Sequence, residues 1–136
     1  MVASTLTGKQ ITPALAVEWC GNNYYIGGVG TDWAYFEAAV AHFNRELNTN
    51  MTIQDIGKDI NQAVSALKSG KLVISSQGQG IFTSGGHFIV LAGMDGDKII
   101  VRDPNKRNAV DKNYDTIRFT ASDIDAAANN YWVFDI

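Results

Sequence analysis

Apolar residues recur at helical spacing in the first half of the chain. One stripe follows a possible cap at Thr31 and consists of Trp33, Phe36, Val40 and Phe43, with the period of an amphipathic helix. A second stripe predicts a helix over about 56–69 and consists of Ile56, Ile60, Val64 and Leu67. This half of the chain is therefore predicted to be mainly helical.

Two shorter helices are predicted before these stripes. Residues 1–6 are predicted to form the last turns of a helix that ends at Thr7 and Gly8. Thr12 can cap a second helix and Pro13 fits its first position, so that helix is predicted to run to about Trp19. The glycine-rich stretch 27–30 is predicted to be flexible.

The second half of the chain changes to strand patterns. Residues 71–76 predict a buried strand, and 87–94 are apolar on both faces, as in a central strand. Residues 98–103 alternate and predict the return strand of a hairpin. Later elements are a strand at 114–119, a helix from Thr120 through Ala128 with Asp123 in a capping box, and a strand at 131–134. Helices followed by strands indicate an α+β fold with an antiparallel sheet.

Length and composition exclude several classes of protein. The chain has 136 residues and is 46% hydrophobic, which suits one domain with its own core and excludes intrinsic disorder. Its apolar runs are too short to span a bilayer, and no signal peptide is visible. The 11 basic residues form no cluster and are outnumbered by 14 acidic ones, so neither nucleic acid nor membrane insertion is predicted.

No cofactor or metal is predicted either. The single cysteine excludes an intrachain disulfide and a multi-cysteine zinc site. The glycines at 77–80 are not followed by the Lys-Ser/Thr pair of a phosphate-binding loop, and the aspartates lack the spacing of an EF-hand.

His87 and Asp103 are the strongest candidates for chemistry. His87 opens the central strand and Asp103 ends its hairpin partner, so the two could form a base and the carboxylate that orients it. A plainer interpretation is a strand-end histidine and a turn former before Pro104.

The hairpin register decides whether these two side chains can meet. A two-residue loop at 95–96 would put them on opposite faces of the hairpin, whereas a three-residue loop at 95–97 or a bulge would put them on the same face. The sequence permits either, and the odd-numbered apolar positions of both strands favour the shared face.

The remaining cysteine and histidine are weaker candidates. Cys20 lies at the predicted C-terminal end of a short helix beside Trp19, whereas an activated thiol is better placed at a helix N-terminus. We interpret Cys20 as a packing residue. His42 lies on a helix flank and is interpreted as structural or solvated.

The segment from Leu72 to Pro104 resembles the C39-like peptidases, a branch of the papain-like cysteine peptidases. The resemblance is carried by TSGGHFIVL, the following hairpin and the Asp-Pro step, and LTGKQITP and GVGTDWAYFEAAVAHF resemble the family's helical half. It implies a papain-like fold in which the helical N-terminal half packs on an antiparallel sheet from the C-terminal half. It also implies that His87 is the catalytic base and Asp103 the residue that orients it. Ser84, Gly85 and Gly86 are predicted to bind substrate, since the glycines let another backbone approach closely.

The resemblance further implies a Cys-Gly-Pro-Thr nucleophile motif, with an oxyanion-hole Gln shortly before it, ahead of LTGKQITP. The 136 residues contain neither motif, and Cys20 follows LTGKQITP and does not match the nucleophile. We therefore expect residues 1–136 to form a single C39-like domain without the N-terminal catalytic segment. The alternative is a non-catalytic pseudoenzyme or peptide-binding module that uses the same groove.

Substrate and location are implied by the resemblance alone. It implies leader peptides or the stem and cross-bridge peptides of peptidoglycan, and secretion or cell-wall association in a Gram-positive bacterium. Loss of part of the nucleophile helix would leave the apolar face at Ile89, Leu91 and Val101 partly uncovered, so self-association is expected.

Overall fold

A computed structural model describes residues 1–26 and 30–136. The predicted glycine-rich flexible stretch therefore lies, apart from Gly30, outside the described residues. The chain divides into two compact units, one formed by Met1–Ile53 with Asp135–Ile136 and the other by Gln54–Phe134.

The first unit contains the predicted N-terminal helices. Its elements are α1 (Val2–Thr7), α2 (Pro13–Cys20), a two-stranded antiparallel pair of β1 (Tyr25–Ile26) and β2 (Gly30–Thr31), and α3 (Ala34–Leu47). Gly8 ends α1 in the left-handed conformation at φ 67°, which glycine adopts without strain. The Thr12 hydroxyl accepts a hydrogen bond from the Leu15 amide at 3.1 Å, which confirms the predicted cap of α2.

The predicted cap of α3 is wrong. Thr31 belongs to β2, and Trp33 occupies the N-cap position without a side-chain cap hydrogen bond. The Ala34 amide donates to the Asp32 carboxylate at 2.9 Å. Within α3 the predicted apolar stripe holds in part, because Phe36 and Phe43 are buried.

The second unit carries most of a six-stranded antiparallel sheet and confirms the α+β class. The strand order is β3-β8-β4-β5-β6-β7, with β3 at Thr52–Gly57, β4 at Leu72–Gln77, β5 at His87–Asp95, β6 at Lys98–Arg102, β7 at Arg118–Phe119 and β8 at Ala128–Asp135. Two helices accompany it, α4 (Ile60–Lys68) and α5 (Ala121–Asp125). As predicted, β5 lies inside the sheet. No helix among those described is both long and apolar enough to cross a membrane.

Several element boundaries differ from the prediction. Strand β3 covers 52–57, where no strand was predicted, and α4 begins only after Asp59, whose carboxylate accepts from the amides of Asn61 and Gln62. Residues 107–111 form a π-helical turn, and turns and a bend occupy 114–117, so β7 has two residues rather than the six predicted. The capping box at Thr120 and Asp123 is present, but α5 ends at Asp125 because the chain then enters β8.

The expected uncovered apolar face is also wrong. Ile89, Leu91 and Val101 are fully buried, and α4 packs against β4 and β5. Ala63, Ala66 and Leu67 of α4 belong to the same hydrophobic cluster as these strand residues. Helix α4 thus covers the part of the sheet that was expected to be exposed.

Candidate active site

A β-bulge in the hairpin places His87 and Asp103 on one face of the sheet. Near the turn, Met94 pairs with Ile99 and Gly93 with Ile100. Beyond the bulge the register has shifted by one residue, so that Leu91 pairs with Val101. Directly opposed residues share a face. The turn itself has two residues, Gly96 and Asp97, and the extra residue Ala92 supplies the shift that the shared face requires.

The two predicted residues meet in a short hydrogen bond. His87 Nε2 lies 2.6 Å from Asp103 Oδ1. The Asp103 side chain is 0% exposed, whereas that of His87 is 21% exposed. The carboxylate is therefore enclosed in protein, while part of the imidazole remains open to a reacting group.

Asp103 is held by further donors at both carboxylate oxygens. The Asn105 amide donates to Oδ1 at 2.8 Å, and Asn108 Nδ2 donates to Oδ2 at 2.8 Å. A buried carboxylate needs such donors because it has lost its hydration. They fix the orientation of the carboxylate and, through it, the imidazole ring.

Asn108 is a positioning residue that the sequence did not reveal. Besides Asp103, its Nδ2 donates to the carbonyl of Phe82 at 2.8 Å, and Asn108 is itself buried. It therefore ties the loop before His87 to the carboxylate that orients His87. Nothing in the sequence pattern marks Asn108, because it lies in the irregular segment after Pro104, where neither helical nor strand periodicity applies.

This arrangement fixes which nitrogen of His87 is free. An ionised carboxylate only accepts hydrogen bonds, so Nε2 must carry the proton that it shares with Asp103. In the neutral imidazole Nδ1 then has the free lone pair. Geometry thus favours Nδ1 as the atom that takes a proton from a nucleophile.

The predicted substrate-binding loop is open at its glycines. A methyl group built at Gly85 or Gly86 would meet no atom within 4 Å, whereas one at Gly80 would lie 2.9 Å from the Ala127 side chain. The Gly85 amide donates to the Thr83 hydroxyl at 3.1 Å. There is thus free space directly before His87, and Gly80 instead serves close packing within the unit.

Cys20 and His42 both belong to the first unit. Cys20 is the last residue of α2, and its thiol donates weakly to the Gly21 carbonyl at 3.6 Å. Burial, and secondarily the neighbouring Cys20, raise the pKa of the Tyr35 hydroxyl. His42 stacks on Trp19 with ring centroids 4.4 Å apart. Both residues therefore have structural neighbours within this unit.

The described residues contain no group of three or more side chains suited to hold a metal ion. The contact joins the His87 imidazole to a buried carboxylate, a geometry in which an imidazole can act as a base that the carboxylate orients. Such a pair serves hydrolytic enzymes that work through a protein nucleophile.

Comparison with known proteins identifies the family to which the chain belongs. The model of the Peptidase_C39 like family matches residues 1–132. The chain belongs to the C39-like peptidase family, and the match supports a papain-like cysteine-peptidase domain. No curated protein matches the chain.

Proposed function

We propose that this chain is part of a cysteine-peptidase domain that cleaves peptide bonds once a nucleophilic cysteine is supplied, with His87 as general base and Asp103 as the residue that orients it. The observation that carries the proposal is the 2.6 Å bond between His87 Nε2 and the buried carboxylate of Asp103. In a member of a peptidase family, that pair has the chemistry that thiol activation requires.

The mechanism follows from the free Nδ1 of His87. A thiol at Nδ1 transfers its proton there, and the thiolate attacks the peptide carbonyl carbon to form a C–S bond. As the C–N bond breaks, the imidazolium returns its proton to the leaving amine. Water then loses a proton to Nδ1 and attacks the acyl carbon. The C–S bond breaks, the acyl group leaves as a carboxylic acid, and the imidazolium returns the proton to the thiolate. Asp103 stabilises the imidazolium at each stage and keeps the ring from turning.

The proposed substrates are peptides of bacterial origin, either leader peptides or the stem and cross-bridge peptides of the cell wall. An extended peptide backbone fits the open space at Gly85 and Gly86. The cell-wall substrate, and secretion or cell-wall association in a Gram-positive bacterium, rest on the resemblance carried by the segment from Leu72 to Pro104.

The test compares this chain with any longer product of the same gene. We expect the 136-residue chain alone to cleave no peptide. A product with an upstream Cys-Gly-Pro-Thr motif should cleave peptides, and iodoacetamide should block the cleavage. His87→Ala should then lower the rate about 10³-fold or more, because nucleophile and base act as a unit. The matched control Lys98→Gln, an exposed position on β6, should keep full activity.

One result would contradict this assignment. If the 136-residue chain cleaves peptides, and both iodoacetamide and Cys20→Ser abolish the cleavage, the nucleophile is Cys20. The matched His42→Ala variant would then show whether the first unit also supplies the base.

A second candidate function is a peptide-binding module without catalysis. The observation in its favour is the position of Cys20, whose thiol lies at the C-terminal end of α2 and bonds to its neighbour's carbonyl. A nucleophilic cysteine is better placed at a helix N-terminus. The residues encoded before Met1 discriminate the two functions. A Gln and a Cys-Gly-Pro-Thr motif there favour the enzyme, and their absence favours the module.

A further inference from the structure

A cavity of about 590 Å³ is lined in part by Asn108, the residue that donates to Asp103. The loop 79–84 forms one wall, and residues of 105–112 form the other. Both walls belong to the second unit. The π-helical turn at 107–111 shapes the second wall.

The cavity is connected to the pair by shared residues. Asn108 lines the cavity and donates to Asp103 Oδ2, while Phe82 lines it and accepts from the same Asn108 amide. Ser84, at the mouth of the loop, also lines the cavity and precedes His87 by three residues. Three residues span at most about 11 Å, so a peptide at His87 can place a neighbouring side chain in the cavity.

The charge of the cavity wall is positive. Arg107 and Lys112 line it, and in the part of the chain that the structure describes no lining residue is acidic. The protein as a whole has the opposite balance, with 14 acidic against 11 basic residues. The two cations are thus a local feature rather than a reflection of overall composition.

Both cations are available to a ligand. Among the described residues, neither Arg107 nor Lys112 has a carboxylate partner. The Lys112 ammonium lies 5.7 Å from the centre of the Tyr114 ring, and Tyr114 donates to the Ile81 carbonyl in the opposite wall at 3.1 Å. The cation–π interaction with the Tyr114 ring holds the Lys112 ammonium near the cavity. The guanidinium of Arg107 can bind a carboxylate through two parallel hydrogen bonds.

We infer that this cavity is a substrate subsite that binds a carboxylate group of the peptide. The inference rests on the proposed function, since it specifies which peptides the site accepts. The carboxylate can come from a Glu or Asp side chain or from a free C-terminus. Thr83 and Asn105 supply further polar groups to the wall, which suits a charged group that must exchange its hydration for protein donors.

The test measures peptide binding by the 136-residue chain with amide chemical shifts. Three pentapeptide probes, Gly-Gly-X-Gly-Gly, are capped at the N-terminus. The first has Glu at X and an amidated C-terminus, the second has Gln at X and an amidated C-terminus, and the third has Gln at X and a free C-terminal carboxylate. Glycine flanks leave the register free, so the carboxylate can find the cavity. The Glu probe should bind about tenfold more tightly than the amidated Gln probe at low salt, and about 0.5 M NaCl should reduce the preference. Tighter binding of the free-carboxylate probe instead would support the subsite with a chain terminus as its natural ligand.

Substitutions assign the preference to the cavity. Arg107→Gln combined with Lys112→Gln should remove it, whereas the matched control Lys98→Gln, exposed on β6, should keep it. Both cations are exposed, so the double variant is expected to fold, and its amide spectrum verifies this. Equal binding of Glu and Gln probes, no binding of any probe at millimolar concentration, or a preference that survives the double variant would overturn the inference.

Failure of this inference and failure of the proposed function are distinguishable. His87→Ala should keep the carboxylate preference, because the cavity does not use the imidazole. A preference without any His87-dependent cleavage by a longer gene product would support the subsite and refute the peptidase. His87-dependent cleavage at equal rates for Glu and Gln peptides would support the peptidase and refute the subsite.

Discussion

Asn108→Ala should destabilise the protein although it removes only a small polar side chain. The substitution takes away one donor from Asp103 Oδ2 and one from the Phe82 carbonyl, each at 2.8 Å. Asn108, Asp103 and Phe82 are all buried. The Asp103 side chain is fully buried, so its Oδ2 loses a donor inside the protein.

The expected cost follows from these two contacts. A hydrogen bond to a charged acceptor contributes about 1.5–3 kcal/mol and one to a neutral carbonyl about 0.5–1.5 kcal/mol. Together they predict a loss of about 2–4 kcal/mol in the free energy of unfolding. With a urea slope of about 2 kcal/mol per molar, the unfolding midpoint should fall by about 1–2 M.

Urea unfolding followed by circular dichroism measures this loss. The matched control is Asn61→Ala, an exposed asparagine in the first turn of α4, which should change the stability by less than about 0.5 kcal/mol. A similarly small loss for Asn108→Ala would refute the assignment of Asn108 as the residue that holds Asp103.

Asn108→Asp provides an independent check on the same contact. It places a second carboxylate against Asp103, and like charges at this distance repel. This variant should be less stable than Asn108→Ala at pH 7 and should recover on acidification, as one of the two carboxyl groups takes up a proton. Equal stability at pH 7 and pH 4, relative to the parent protein, would contradict the contact.

The remaining predictions concern the loop before His87 and the buried Tyr131. Gly80→Ala should lower the free energy of unfolding by about 1–3 kcal/mol, because the new methyl would lie 2.9 Å from the Ala127 side chain. The matched control Gly85→Ala lies in the same loop but has open space around it, so it should leave the urea midpoint unchanged. Burial, and then the hydrogen bond to Asp125, raise the pKa of Tyr131 above its ordinary value of 10.0. The native state then holds this proton more tightly than the unfolded state, so the stability contribution is complete below pH 10 and is lost as the pH rises further. In Tyr131→Phe the urea midpoint should therefore fall less steeply between pH 9 and pH 11 than in the parent protein. A fall as steep as that of the parent protein would contradict this.

The hairpin that carries the candidate site was predictable because its pattern is local. The apolar run of β5, the Gly-Asp turn and the alternation of β6 all point to the same pairing. What the sequence left open was the register, because a bulge at Ala92 leaves no mark in a run of small and apolar residues. The bulge is fixed by packing, since it lets Leu91 and Val101 share the buried face.

The misplaced elements lie where local pattern and tertiary contact disagree. Strand β3 is half exposed and its burial does not alternate regularly, so its sequence does not show a strand pattern. Ile56 of this strand also fits the helical spacing of α4, and the predicted helix therefore began too early. Likewise Asn108 lies in a π-helical turn whose path depends on buried contacts to Phe82 and Asp103. Such contacts join residues far apart in the chain and follow no sequence period.

The central claim is that Asp103 holds Nε2 of His87 so that Nδ1 can act as the base. Nitrogen NMR of the neutral His87 imidazole, recorded on the 136-residue chain, tests this claim most directly. We expect a protonated Nε2 and an unprotonated Nδ1 in the parent protein, and a mixture of both tautomers in Asp103→Ala. A proton on Nδ1 in the parent protein, or a tautomer that Asp103→Ala leaves unchanged, would contradict it.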